Sequence, residues 1–386
     1  MSGADPQRDP LVEAARRHAA EVAPQVTAWE RSGRFPREAA RRAAASGLLG
    51  LFAPAETGGQ ARSFLDGMPV FEELGRADAA YAFALSMHNA VANAIGTSAS
   101  PAVRERWAAR LTTGEALGGF SLTEPHAGSD AAAIASRARP NRDGYVLDGR
   151  KAWVSLAGEA DVFLVVCRTG EGHGTADMLM AVVEAAQPGV RVDRLYEKAA
   201  ARFLPIGELA LEGVELGPER VLAPPGRGLQ TALAAIDVAR VDIAAIAVGL
   251  AAEALDVALR YARERRIGDG VVLDLQAIRF ALADVETDVV AGRLLYRHAA
   301  ALLGRPGGSV AAAHAKRFCP DAALRGAVAC SEVLGAYGWL DDYPLGRFLA
   351  LAKMLQVVDG TSEIQRVVIA RALERRAKEL AAPRPC

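Results

Sequence analysis

The chain has 386 residues, 51% hydrophobic and 24% charged, which is the balance of an ordinary globular protein with room for two or three packed units. A net charge of −1 gives no electrostatic case for nucleic acid or an anionic membrane as partner. The longest strongly apolar helical run, residues 243–252, has ten residues before Glu253 interrupts it, against the about 20 that a membrane span requires, and reads as a buried helix segment.

Lysine occurs only at 151, 198, 316, 353 and 378, and arginine supplies the other basic residues, as high-GC coding with many alanines would give. Cys167, Cys319, Cys330 and Cys386 form no C-x-x-C pair, so reduced structural thiols and no metal site are expected. Residues 1–6 show no apolar signal region, and a cytoplasmic location is expected.

In chain order, residues 9–29 and 36–46 carry apolar side chains at three- and four-residue spacing and predict helices. Residues 54–59 read as a loop, and the helical period resumes over 64–76. Residues 79–97 are apolar nearly all round, as in a helix buried between others, and 104–111 precede a Thr-Gly turn. The texture changes near Leu117. Short β-type runs at 144–149, 161–167, 178–183, 190–195 and 208–214 alternate with Gly, Asn and Pro clusters, the pattern of a small sheet or barrel. Residues 223–228 (Ala-Pro-Pro-Gly-Arg-Gly) punctuate the chain. Helical pattern then runs over 229–266, 274–303, 309–334, 345–357 and 362–380, with short connections that read as an antiparallel bundle. The tail 381–386 reads as frayed. Helices, then strands, then helices favour segregated layers over alternating βαβ units, an α+β class with segments 1–117, 118–226 and 227–386.

Six segments could carry chemistry, one of them the glycine loop Glu332-Val333-Leu334-Gly335-Ala336-Tyr337-Gly338, which otherwise merely caps a helix. In Phe120 to Asp130, Thr123 and Ser129 supply hydroxyls and Gly128 permits close backbone approach, although Glu-Pro and Gly-Ser-Asp are also common loop words. Lys151-Ala152-Trp153-Val154-Ser155 sets a tryptophan beside a hydroxyl; a lone tryptophan is equally a core anchor. Asp237 and Arg240 have the spacing of a helix ion pair. Arg265 has the fork geometry that suits a phosphate, or ends a solvated helix. Asp359-Gly360-Thr361-Ser362-Glu363-Ile364-Gln365 reads as a turn before a helix, with Ser362 and Gln365 spaced for a capping box.

Together these segments resemble the acyl-CoA dehydrogenase family, in the family's order and spacing over residues 12–373. The resemblance implies an N-terminal helical domain, a central β-domain and a C-terminal four-helix bundle, assembled as a homodimer or homotetramer with FAD at the subunit junction. It implies cofactor contacts from Phe120, Leu122, Thr123, Ser129, Trp153, Ser155, Arg265, Gln276, Glu332, Gly335, Ala336, Thr361 and Glu363, and substrate contacts from Ser129, Arg240 and Gly360. Asp359 falls where the family usually has a glutamate base, one methylene longer. The position before Arg240, where some relatives carry their base, is Ala239. Three further departures stand out: Ile267-Gly268 for the usual Phe-Gly, Glu332 for Gln, and Ala336 for Gly.

The implied reaction is α,β-dehydrogenation of an acyl thioester, carried on coenzyme A or on an acyl carrier protein. The base removes the α-proton while hydride leaves the β-carbon for flavin N5, and the electrons pass to a flavoprotein or oxygen. Two alternatives keep the scaffold. One is nitroalkane-oxidase-like or monooxygenase flavin chemistry, since nitroalkane oxidases use an aspartate base at the matching place. The other is a non-catalytic FAD-binding member.

Overall fold

Small side chains at helical spacing set the first layer of the computed structural model, which describes residues 9–170 and 174–381. Helix α1 (Pro10–Val22) starts on Asp9, whose carboxylate accepts from the Leu11 N–H at 2.8 Å. The expected helix over 9–29 is interrupted: Pro24 forces a 3₁₀ turn at Ala23–Gln25 before α2 (Val26–Ser32). Helix α3 (Arg37–Ala45) buries Ala39, Ala40, Ala43 and Ala44. Helices α4 (Phe64–Ala77), α5 (Ala79–Ser98) and α6 (Pro101–Thr112) follow, capped by Ser63, Asp78 and Ser100. As its all-round apolar pattern predicts, α5 is buried over most of its length.

An eight-stranded sheet follows: β1 (Gly118–Ser121), β2 (Arg137–Asn141), β3 (Gly144–Ser155), β4 (Val162–Arg168), β5 (Met178–Glu184), β6 (Val190–Leu195), β7 (Ile206–Leu216) and β8 (Val221–Ala223). Strand order is β6-β7-β3-β2-β4-β5-β8, and β1 pairs in parallel with β4, Gly118 opposite Val162. Every residue of β4 and β5 is buried, which is why both read as apolar runs up to their closing residues, Arg168 and Glu184. Gly118 lets β1 approach α5 closely, since a Cβ there would lie 2.5 Å from Val91 Cγ1. His88 ties the same junction: its Nε2–H donates to the Leu111 carbonyl at 3.0 Å, and its Nδ1 accepts from the Gly118 N–H at 3.2 Å. Burial pushes this imidazole down to about 4, so it stays neutral in that role.

The chain divides into two compact units, the first ending at Ile236 and the second beginning at Asp237, inside the 37-residue helix α7 (Gly228–Glu264). In the first, Val91, Ile95, Trp107, Leu164, Met180 and Leu229 belong to one hydrophobic core under the sheet. In the second, α8 (Gln276–Leu302) and α9 (Gly308–Leu334) pack along each other, and α10 (Leu345–Leu355) and α11 (Ser362–Ala381) pack on α9. Gly292 of α8 admits Val248 of α7, whose Cγ2 would lie 2.7 Å from an added Cβ. A short hairpin, β9 (Arg266–Ile267) with β10 (Gly270–Val271), joins α7 to α8 and turns at Gly268, φ +54°. The fold class is the expected one, helical N- and C-terminal domains with a central sheet, although β2, β8 and this hairpin were not expected.

The thiols of Cys167, Cys319 and Cys330 are buried and form no disulfide among the described residues, and Cys386 lies outside them. So do residues 1–6 and, in the tail, 382–386. No helix among the described residues is long and apolar enough to cross a membrane.

Candidate functional site

The expected site residues fall into two sets, one in each unit. In the first, Phe120 lies on β1, and Leu122, Thr123 and Ser129 lie on the loop that leaves it. Leu122 is buried, Phe120 and Thr123 are half-buried, and Ser129 is exposed.

This loop is held by a buried ion pair. Lys151 Nζ donates to Glu124 Oε1 at 2.7 Å and to the Leu122 carbonyl at 3.0 Å, and both side chains are almost fully buried. Glu124 also accepts from the N–H groups of Ala135 at 2.6 Å and Ser136 at 3.0 Å. Burial alone would push this carboxyl up, but the Lys151 ammonium and these hydrogen bonds outweigh it and hold it below its ordinary value. The Ala152 N–H donates to the Thr123 carbonyl at 2.9 Å, so β3 grips the loop through backbone as well.

Trp153 owes its placement to a bulge. Lys151 pairs with Leu209 and Val154 with Gly207, so two β3 residues oppose the single Glu208. Trp153 takes φ +56° there and stands 64% exposed, between buried Ala152 and Val154. It is therefore a surface aromatic and not the core anchor that a lone tryptophan usually is. Its ring centroid lies 4.6 Å from that of Tyr196, whose hydroxyl donates to Glu208 Oε1 at 2.9 Å. Arg194 lies over the other partner of this pair, its guanidinium carbon 5.4 Å from the Tyr196 ring. Ser155, two residues beyond Trp153, is buried.

In the second unit the structure brings Arg240, Asp359 and Gly360 together. Arg240 Nη1 donates to Asp237 Oδ1 at 2.7 Å, the expected helix pair, and its Nε approaches the Asp359 carbonyl at 3.4 Å. An added Cβ on Gly360 would lie 3.5 Å from Arg240 Nη2. Asp359 and Gly360 both have left-handed backbone, φ +53° and +94°. Asp359 is half-buried as a residue, yet its Oδ2 is sealed from solvent and has no hydrogen-bond partner among the described residues. Burial pushes its carboxyl up to about 6, against the opposing pull of Lys316 and Arg240.

The loop around Asp359 is tied to α9. Lys316 Nζ donates to the Leu355 carbonyl at 2.7 Å. Asp321 Oδ1 accepts from Gln356 Nε2 at 2.7 Å and from Ser362 Oγ at 3.4 Å. The capping box expected of Ser362 and Gln365 does not form. Thr361 Oγ1 accepts from the Ile364 N–H at 3.4 Å, Ser362 turns to Asp321, and Gln365 Nε2 donates back to the Gly360 carbonyl at 2.9 Å. The loop competes for these side chains and wins. Glu363 is exposed and pairs with Arg366 at 2.9 Å.

A third cluster lies where α7 ends. Arg265 stands over Tyr337 at 5.4 Å, next to the turn that begins at Gly335, φ +56°. Gln276 opens α8, and Arg265, Gln276, Glu332, Gly335 and Ala336 are all exposed. Sequence reasoning did not single out Lys316, Asp321, Gln356, Glu124 or Tyr196. No local signal marks the buried lysines: Lys353 lies in a more apolar run than Lys151 or Lys316 and is exposed, whereas those two are fully buried.

Comparison with known proteins places all three regions. Residues 5–115, 119–214 and 226–374 match the acyl-CoA dehydrogenase N-terminal, middle and C-terminal domains. An acyl-CoA dehydrogenase of Bacillus subtilis is 33% identical over 92% of this chain and 94% of its own length. The solved butyryl-CoA dehydrogenase of Megasphaera elsdenii superposes with a TM-score of 0.91 at 31% identity, over 97% of this chain and 99% of that one. A glutaryl-CoA dehydrogenase of Mycobacterium smegmatis, solved in complex with FADH2, gives 0.87 at 26% identity, over 94% and 93%. The prolyl acyl carrier protein oxidase AnaB gives 0.88 at 26% identity, over 95% and 99%.

Proposed function

Since the chain belongs to the acyl-CoA dehydrogenase family, we propose that it is an FAD-dependent oxidoreductase that desaturates an acyl thioester at its α,β-bond, with Asp359 as the base. The observation that carries this reading is the sealed, unpartnered Oδ2 of Asp359 beside two cations. An acidic oxygen so placed has lost hydration without gaining a hydrogen bond, which makes it a stronger base than a surface aspartate.

The residues present fit FAD. The bulge presents the Trp153 indole at the surface, a flat apolar partner for an aromatic ring system, next to Ser155 and the pinned loop with Thr123 and Ser129. The exposed Arg265 guanidinium suits a pyrophosphate. When bound, FAD accepts the hydride equivalent released from the β-carbon. The chain's own part is acid–base and positional. Asp359 takes the α-proton onto its carboxylate, and the left-handed turn at Asp359 and Gly360 sets where that carboxylate points. Its raised pKa means that it is ionised, and competent as a base, above about pH 6. Arg240 and Lys316 keep the ionised form accessible despite burial. Coenzyme A and an acyl carrier protein are both suitable thioester carriers, as the names of the relatives suggest, and the homodimer or homotetramer that the family resemblance implies is part of the same proposal.

The shorter aspartate base favours a second reading, proton removal from a nitroalkane. The test for both is FAD-loaded protein presented with acyl-CoA, acyl-carrier-protein and nitroalkane panels, followed by flavin absorbance. Bleaching by a thioester, with α-proton exchange lost at least about 100-fold in Asp359→Asn while FAD stays bound, is the expected result. Bleaching by a nitroalkane alone would transfer the assignment to the second reading. Exchange unchanged in Asp359→Asn would remove Asp359 from the role of base.

A further inference from the structure

We infer that Lys316 is a positioning residue for the base: from helix α9 it fixes the start of the loop that carries Asp359 and serves as the buried counter-charge that lets Asp359 ionise. The inference rests on the reading of Asp359 as the base.

The geometry has three parts. First, Lys316 is fully buried, and its ammonium meets the Leu355 carbonyl at 2.7 Å, at the point where α10 ends and the loop begins. A hydrogen bond from a charged donor in an apolar interior is short and directional, so it fixes where the loop leaves the helix. Second, the far side of the same loop is held from the same helix. Five residues on from Lys316, Asp321 grips Gln356 and Ser362 and is itself paired with Arg317. The loop is therefore anchored to α9 on both sides of Asp359. Third, Pro320 lies between the two anchors and has no N–H with which to continue the helix ladder to the Lys316 carbonyl.

The charges around this point come from three elements. Lys316 faces Asp359 from the loop, Arg240 from α7, and Asp321 and Cys319 on its own helix. Arg240 divides its attention, because Asp237 takes its Nη1 and Ser309 Oγ lies 3.2 Å from that same carboxylate oxygen. Among the described residues no carboxylate bonds Lys316 directly, and its ammonium donates to a neutral carbonyl, that of Leu355. Its charge is thus available to Asp359. Burial brings the Lys316 amine down to about 8, opposed by Asp359, so the ammonium persists over the range in which Asp359 works.

The test uses the FAD-loaded full chain and three variants. Lys316→Gln removes the charge and keeps a donor for the Leu355 carbonyl, Lys316→Met removes both, and Lys316→Arg restores the charge. Two readouts are taken: the titration of the Asp359 carboxyl by ¹³C NMR, assigned by its loss in Asp359→Asn, and the pH profile of α-proton exchange. In the unaltered protein the carboxyl is expected to titrate at about 6. In Lys316→Gln it moves up by about one pH unit or more, and Lys316→Arg returns it toward the starting value. The exchange profile moves with it. A carboxyl titration unchanged in folded, FAD-loaded Lys316→Gln overturns the inference and leaves Lys316 as packing. If the carboxyl titration moves and the exchange profile does not, the role of Lys316 stands and the assignment of Asp359 as base fails. Should Lys316→Met not fold, the Gln and Arg pair decides the question alone.

Discussion

Aspartate at 359 faces two demands, a left-handed backbone and a buried charge. The first it tolerates well, because aspartate and asparagine visit that region more readily than longer side chains do. The second costs stability, and the direction follows from the shift. The folded-state pKa, about 6, lies above the ordinary 3.8. As pH rises from the lower value the unfolded chain gives up its proton first. Between about 3.8 and about 6 the folded chain therefore holds more protons, and stability falls with rising pH. Above that window the ionised carboxylate costs on the order of 1–3 kcal/mol. Asp359→Asn, always neutral and equally at home at positive φ, is expected to be more stable than the parent by that amount at pH 8. The gap should shrink toward pH 4, and urea midpoints at the two pH values check it. Asp359 was legible in the sequence because the words around it matched a known pattern. Lys316 was not, since nothing local in Ala315-Lys316-Arg317 tells that one cation is buried and its neighbour is not; only the packing of α9 against α10 decides it.

At the scale of elements, helices were read most reliably where capping residue and apolar period coincide, as at Ser63 with α4 and Asp78 with α5. Strand β2, Arg137-Ala138-Arg139-Pro140-Asn141, escaped because it is short, charged and contains proline; it exists because β3 pairs with it along its full length. The bulge that exposes Trp153 was also invisible, because it depends on how many residues β7 offers opposite β3. The contact between α5 and β1 permits a direct check. At Gly118 an added Cβ would lie 2.5 Å from Val91 Cγ1 and 2.7 Å from its Cβ, and the nearest atoms are those of a β-branched side chain with little freedom to turn away. Gly118→Ala should therefore destabilise the first unit by about 1–3 kcal/mol, through overpacking. A lowered urea midpoint measures it, and an unchanged one would show that α5 can retreat from the strand without loss.

For the molecule as a whole, family membership was readable from the order of motifs, because the three regions keep the family's sequence words even where single letters differ. The departures, Asp359, Ile267, Glu332 and Ala336, are the positions at which the pattern says least and the structure says most. At Ile267 the usual words give way to a hairpin that exposes the isoleucine to 50%, and Glu332 and Ala336 lie on an exposed turn rather than in a core. Each departure is thus accommodated at the surface or in the loop that carries Asp359, where the scaffold does not depend on it.

The scarcity of lysine has a chemical consequence if the substrate is the acyl thioester proposed above. A free amine attacks a thioester carbonyl, forms an amide and expels the thiol, whereas a guanidinium, protonated at all ordinary pH, does not. Lys151 and Lys316 are shut away from any reagent, which leaves Lys198, Lys353 and Lys378 as the lysine side chains open to attack. Of these, Lys198 carries an amine whose pKa burial lowers, which raises its neutral, nucleophilic fraction. Peptide mapping after long incubation with a short-chain acyl-CoA should find the adduct first at Lys198, with 151 and 316 unmarked; a chain armoured in arginine is one that its own reactive cargo can scarcely scar.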